Sequence, residues 1–292
     1  MHGFYSRAEL EQIANQIIGA RLPGQGDQLV TQVSATQKFE IGARKRESGR
    51  IFRYSYAVAD LTLAAQARLV ANSNYAPEVT GHVNEDGFMG NITFAGVART
   101  AVVPAGSTYL DIADTALRAA DWYQGGYVII FDDVTPFFHQ YGIIASNAGT
   151  GTYVRIYLDH PVAAAIPVNN AGGNPVGITA YRSPYSAVAP AGSVQTGFEP
   201  LIGMTLCGEV PSGYYFWLLT AGPIWITPTG VTWPGSAANL RDIYANPADG
   251  TIQPPTISNP SDGFQRIGYL LPATGGTSSD YGDAWIMLQL DQ

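Results

Sequence analysis

Apolar and polar residues alternate with a period of two along much of this chain, which predicts strands rather than helices. The pattern is plainest over 153–158, where Val154, Ile156 and Leu158 alternate with Tyr153, Arg155 and Tyr157. With the short apolar runs 126–131 and 141–145, separated from it and from each other by turn residues, it predicts a three-strand meander. Further extended segments are expected within 29–58, in 91–103, 176–181, 201–210, 266–271 and 284–290, the last apolar enough to lie centrally in a sheet. The densest run is 212–233. There 215–219 and 224–227 flank Gly222-Pro223, which reads as a buried hairpin stacking Trp217 with Trp225. Aromatic surface of that size forfeits roughly 1.5–3 kcal/mol per large side chain if left in water. A second layer of core must cover it or, as the alternative, another protein.

Four stretches depart from the period of two. Ser6-Arg7-Ala8-Glu9 is a capping box, and Leu10, Ile13, Ala14 and Ile17 follow at helical spacing before Gly19 and Pro23, predicting a helix over 7–18. Residues 110–122 hold Ala, Leu and Arg that favour a short helix. Residues 60–71 fit either a helix capped by Asp60 or a strand. Residues 234–263, rich in Pro, Gly, Asn, Ser and Asp, are expected as a long surface excursion. The expected fold is therefore mainly β, an antiparallel β-sandwich or barrel with a short N-terminal helix and an extended N-terminal arm. Residues 1–58 would form the helix and arm, and 59–292 the β-rich body, divisible near 185–200.

Composition supports the β reading. Only 13% of the 292 residues are charged, while Gly (33), Pro (19) and Tyr (17) are abundant, as in many short strands joined by turns. A single cysteine, Cys207, excludes an internal disulfide or a cysteine zinc site and is expected as a small core residue. No basic leader precedes an apolar stretch and no apolar run reaches about 18 residues, so neither an export signal nor a membrane span is expected. The net charge of −8 is uneven: residues 1–68 hold nine of the fifteen Lys and Arg against six acids, net +3, and the remainder is net −11. Arg44, Lys45, Arg46, Arg50 and Arg53 fall within ten residues. Clustered cations attract phosphate, but beside so acidic a remainder nucleic acid is disfavoured. A solvated basic loop, or one that docks on an acidic neighbour, is expected instead.

No phosphate loop, dinucleotide fingerprint, HExxH or nucleophile elbow is present, and His2, His82, His139 and His160 are not spaced as metal ligands. Asp132 and Asp133, with His139 six residues on, are the one constellation suggestive of acid/base or calcium chemistry, although adjacent aspartates on an extended chain point to opposite faces. Asp280 and Asp283 form a weaker cation candidate. No cofactor, metal or enzymatic activity is expected.

The order and wording of several pieces resemble tailed-bacteriophage virion proteins of the head decoration, or cement, type. They are Gly49-Arg50-Ile51-Phe52-Arg53-Tyr54, Gly125-Gly126-Tyr127-Val128-Ile129-Ile130, the meander from Tyr141-Gly142-Ile143 to Asp159-His160-Pro161, Arg182-Ser183-Pro184-Tyr185, Gly213-Tyr214-Tyr215-Phe216-Trp217 with Gly222-Pro223, and Ile267-Gly268-Tyr269. They span about 49–290 and leave out the helix and the 234–263 excursion. The resemblance implies a non-enzymatic protein on the virion surface, made in the host cytoplasm, that stabilises a capsid shell. Its implied partners are the major capsid protein and neighbouring copies of itself in a homo-oligomer, a trimer or dimer, with no membrane involved. Leu10, Ile13 and Ile17 would supply apolar docking, and Arg44, Lys45, Arg46, Arg50 and Arg53 polar docking. The alternative is a tail or fibre module recognising a host glycan through aromatics such as Trp233 and Tyr244, and a third reading is a hydrolase built around Asp132, Asp133 and His139.

Overall fold

The structure is a computed structural model. It describes residues 26–62, 70–72, 87–94, 96–98, 101–131, 138–169, 176–190, 201–225, 242–245, 252–253, 265–271 and 285–291. The helix expected over 7–18, with Leu10, Ile13 and Ile17, lies outside them. Among the described residues the protein is mainly β and antiparallel, with no helix. It divides into two compact units, Met1–Ser73 with Pro184–Gln292, and Asn74–Ser183.

The first unit begins with β1 (Val33–Ser34), β2 (Arg44–Glu47), β3 (Arg50–Tyr56), β4 (Leu61–Thr62) and β5 (Val70–Asn72). The second contains β6 (Gly87–Phe94), β7 (Val97–Ala98), β8 (Tyr109–Ile112), β9 (Tyr127–Phe131), β10 (Phe138–Ser146), β11 (Val154–Leu158) and β12 (Gly177–Tyr181). The chain then completes the first unit with β13 (Val188–Pro190), β14 (Leu201–Thr205), β15 (Glu209–Val210), β16 (Tyr215–Trp225), β17 (Asp242–Ala245), β18 (Ile252–Gln253), β19 (Gln265–Leu270) and β20 (Trp285–Gln289).

β16 organises the first unit. It is one continuous strand of 11 residues, not the expected hairpin. It pairs with β1 at Tyr215 and Phe216, with β14 at Leu218 and Leu219, with β3 from Tyr215 to Ala221, and with β20 from Ala221 to Trp225. Gly222-Pro223 reads locally as a turn, yet it sits just past the residue where the partner changes from β3 to β20, where a missing N–H is tolerated. Gly222 has φ of 115°, and a Cβ there would lie 2.8 Å from the Arg50 Cα, so the β2–β3 turn can pass close over it. Alternate β16 side chains enter different clusters. Trp217 and Leu219 pack with Phe39, Phe52, Tyr54, Ile286 and Leu288, while Phe216 and Leu218 pack with Ala57, Val188, Cys207 and Val210. Burial on both faces is why this stretch is an unbroken apolar run, as in other doubly covered strands. β20 is central, lying between β16 and β19, as its composition predicts. The 234–263 stretch is not wholly an excursion: β17 pairs with β19 and buries Ile243.

In the second unit the meander β9–β10–β11 forms as the alternation predicts. β12 pairs with both β9 and β6, and β8 pairs with both β11 and β6. The pairings therefore run β6, β12, β9, β10, β11, β8 and return to β6, a nearly closed barrel-like sheet with β7 added to β6. β10 turns a corner of this sheet, pairing with β9 up to Gly142 and with β11 from Ile143, and an irregularity between Ile143 and Ala145 leaves Ile144 57% exposed. Val128, Ile130, Ile143, Val154, Ile156 and Ile178 fill the interior. The helix expected over 110–122 does not form. Leu110 and Ile112 are buried in β8, turns follow, and Leu117 is 83% exposed. Helix propensity worth a few tenths of a kcal/mol per residue is outweighed by strand pairing and burial.

Candidate functional site

The basic segment expected as part of an extended arm is a β-hairpin built into the first unit. β2 and β3 are joined by Ser48-Gly49, both at positive φ (50° and 76°), as a type I′ turn requires. The strand period then separates the cations. Lys45 turns inward, 9% exposed, with its Nζ 5.6 Å from the Trp217 ring centroid, 3.5 Å from the Gln28 carbonyl oxygen and 3.3 Å from a Glu47 carboxylate oxygen. Arg44 and Arg53 face each other across the strands. Their like charges are tolerated because Asp291 stands beside them. Arg53 donates through Nε and Nη2 to its two carboxylate oxygens at 2.5 and 3.1 Å, and through Nη1 to the Gly42 carbonyl. Thr220 adds a hydroxyl to Asp291. Arg46 is exposed, and Arg50 is partly exposed over the Phe52 ring; neither forms an ion pair among the described residues.

Burial pushes the Asp291 carboxyl up, but the hydrogen bonds and charge of Arg53, with Arg44 and Thr220, outweigh it and hold it below the ordinary carboxylate value. A depressed folded value means that the pair's contribution is complete above the unfolded value of about 3.9 and is lost as pH falls through the lower folded value. Urea midpoints measured from pH 7 to pH 2 should therefore show Asp291→Asn less stable than the wild type at neutral pH, with the gap closing in acid. A gap that stays constant with pH would count against the pair.

Two residues that sequence reasoning missed hold this region in place. Gln28, 1% exposed, donates through Nε2 to the carbonyls of Gln32 and Tyr215, accepts from the Tyr54 hydroxyl through Oε1, and accepts from the Trp217 indole through its own carbonyl. Asp291 closes the hairpin from the far end of the chain. Neither is marked by any local pattern, since the partners that matter most, Tyr54, Tyr215 and Trp217 for Gln28 and Arg53 for Asp291, are remote in sequence.

The second unit carries two polar clusters. Asp114 accepts from the Tyr123 hydroxyl at 2.6 Å, from Arg118 Nε at 3.0 Å and from the Ala116 amide at 2.9 Å. Burial, then the Asp114 carboxylate, pushes the Tyr123 phenol far up, so it is a hydrogen-bond donor and not an acid. The guanidinium groups of Arg118 and Arg182 both lie over the Trp122 ring, 5.0 and 4.5 Å from its centroid. On the outside of the sheet Asp111 faces Arg155 across β8 and β11. A lone charge at the outward position of each alternating run was its only sequence signal.

The remaining candidates do not converge. Asp132, Asp133, Trp233, Asp280 and Asp283 lie outside the described residues. His139 stacks on Tyr141, and His160 pairs with Asp159 at 2.6 Å near the surface. Cys207 is buried, which pushes its thiol up and away from nucleophilic use. Tyr244 is half-buried. No three His, Cys, Asp or Glu side chains gather as a metal site among the described residues, and no described helix is long and apolar enough to cross a membrane.

Fold and surfaces together define a two-unit antiparallel β protein. No family model, no curated protein and no solved structure matches the chain.

Proposed function

We propose that this is a non-enzymatic structural protein of a phage virion that binds a capsid shell from its surface and stabilises it. The observation that carries this reading is the basic hairpin. Anchored in the sheet by Lys45, Arg53 and Asp291, it leaves Arg46 and Arg50 at its tip without ion pairs among the described residues. A charged β edge of this kind suits docking on an acidic neighbour and loses little backbone freedom on binding. The resemblance to head decoration proteins supports the same reading, and most of its pieces fall on β3, β9, β10, β11, β16 and β19. The neighbours would be the major capsid protein and further copies of this chain in a trimer or dimer, with Leu10, Ile13 and Ile17 supplying an apolar contact.

The test is electron microscopy of purified capsid shells mixed with the protein. Added density at regular lattice positions is expected, and Arg46→Glu with Arg50→Glu should lower its occupancy about tenfold at limiting protein. Bare lattices would refute the function. Full occupancy by the double variant would remove the hairpin from it.

A further inference from the structure

The outer face of β8 and β11 carries an aromatic and polar cluster that serves neither the barrel interior nor the basic hairpin. Tyr109 stands opposite Tyr157, and Asp111 opposite Arg155, on neighbouring rows of the same face. Asp111 is 4% exposed and grips Arg155 side-on, Nε to Oδ1 at 2.7 Å and Nη2 to Oδ2 at 2.9 Å. The guanidinium carbon lies 4.2 Å from the Tyr109 ring centroid. Nη1 takes no part in the grip, so its two N–H groups are available beside the rings. Tyr109 is 44% exposed, Tyr157 is partly exposed, and their ring centroids are 6.5 Å apart at 55°. Tyr153, two residues before Arg155 and also partly exposed, extends this face.

A cross-strand ion pair needs none of these exposed rings for stability. What the cluster offers outward is a pair of tilted aromatic rings with a fixed donor beside Tyr109, already ordered before a ligand arrives. The charge favours one ligand class. Asp111 neutralises Arg155, and residues 74–183 hold four arginines against nine acids, net −5, so phosphates, nucleic acid and acidic sugars are repelled. A neutral pyranose fits: its C–H face packs on a tyrosine ring while its hydroxyls accept from Nη1 and exchange hydrogen bonds with the phenols. We propose that Tyr109, Tyr157 and Arg155 form a binding site for neutral saccharides on this unit, separate from the hairpin assigned to shell binding.

The experiment uses the full chain on an array of neutral glucose, galactose, mannose and N-acetylglucosamine oligosaccharides, with sialylated and sulfated oligosaccharides on the same slide. Retention of at least one neutral series is expected. Affinity for it should fall about tenfold in Tyr109→Ala and in Arg155→Lys, the latter keeping the charge but losing the fork. Tyr127→Ala, which alters the stacked Tyr127–Tyr181 pair elsewhere on the sheet, should bind as the wild type does. Circular dichroism confirms that each variant is folded. An array blank for every neutral sugar, binding confined to the acidic ones, or undiminished binding by folded Tyr109→Ala would overturn the proposal.

Discussion

Replacing Trp217 with alanine is expected to lower the unfolding free energy by about 3–5 kcal/mol, the range for removing a fully buried aromatic side chain. The ring has no exposed surface and lies 4.9 Å from Phe39 and 5.0 Å from Tyr54, centroid to centroid. Its removal opens a cavity at the middle of the strand that four others pair with. It also takes the indole donor from the Gln28 carbonyl, which keeps only the longer contact from Lys45, and leaves the Lys45 ammonium without its aromatic face. The backbone around the cavity is held by pairing on β16, so the site cannot collapse to fill it. Trp217→Phe keeps part of the volume and should cost about half as much. Urea unfolding followed by far-ultraviolet circular dichroism separates these outcomes. A loss below about 1 kcal/mol for the alanine variant would mean that the ring is not in a sealed core.

The second large effect is expected at Asp114 in the other unit. Its side chain is 6% exposed and holds Arg118, Tyr123 and the Ala116 amide. Asp114→Ala leaves the fully buried Tyr123 phenol without its acceptor and takes the carboxylate away from Arg118, which costs about 2–3 kcal/mol because a buried donor that loses its partner is not repaid by packing. Tyr123→Phe removes one hydroxyl and leaves the ring, so about 1–2 kcal/mol is expected. If the network is real, the double variant should cost clearly less than the two single losses added together. Strict additivity would show that the two groups act independently.

Much of the architecture was legible in the chain. The period of two located the meander, because Val154, Ile156 and Leu158 face the interior and Arg155 and Tyr157 the outside. Cys207 lies in a core cluster, as a lone cysteine in an apolar run should. The failures share a cause. Gly222-Pro223 favours a turn, and Ala-Leu-Arg in 110–122 a helix, only at short range, and strand partners remote in the chain outweigh both preferences. β17 was hidden inside a polar stretch, where only Ile243 marks a strand that gains its burial from β19. Ser48-Gly49 supplies the turn chemistry of a hairpin, which places Arg44 to Arg53 in the sheet and not in an arm.

By itself the sequence determined the class: antiparallel β, turn-rich, with its cations gathered near one end and no recognisable catalytic motif. These follow from composition and short-range periodicity, which act within a few residues. The tertiary structure alone decided that β16 would run unbroken and that β6 would close the second sheet against both β12 and β8. It alone joined Arg53 to Asp291 across 238 residues and Trp217 to Gln28 across 189. Such pairings form only when the whole chain has closed its loops, and no local pattern records which distant residue will arrive.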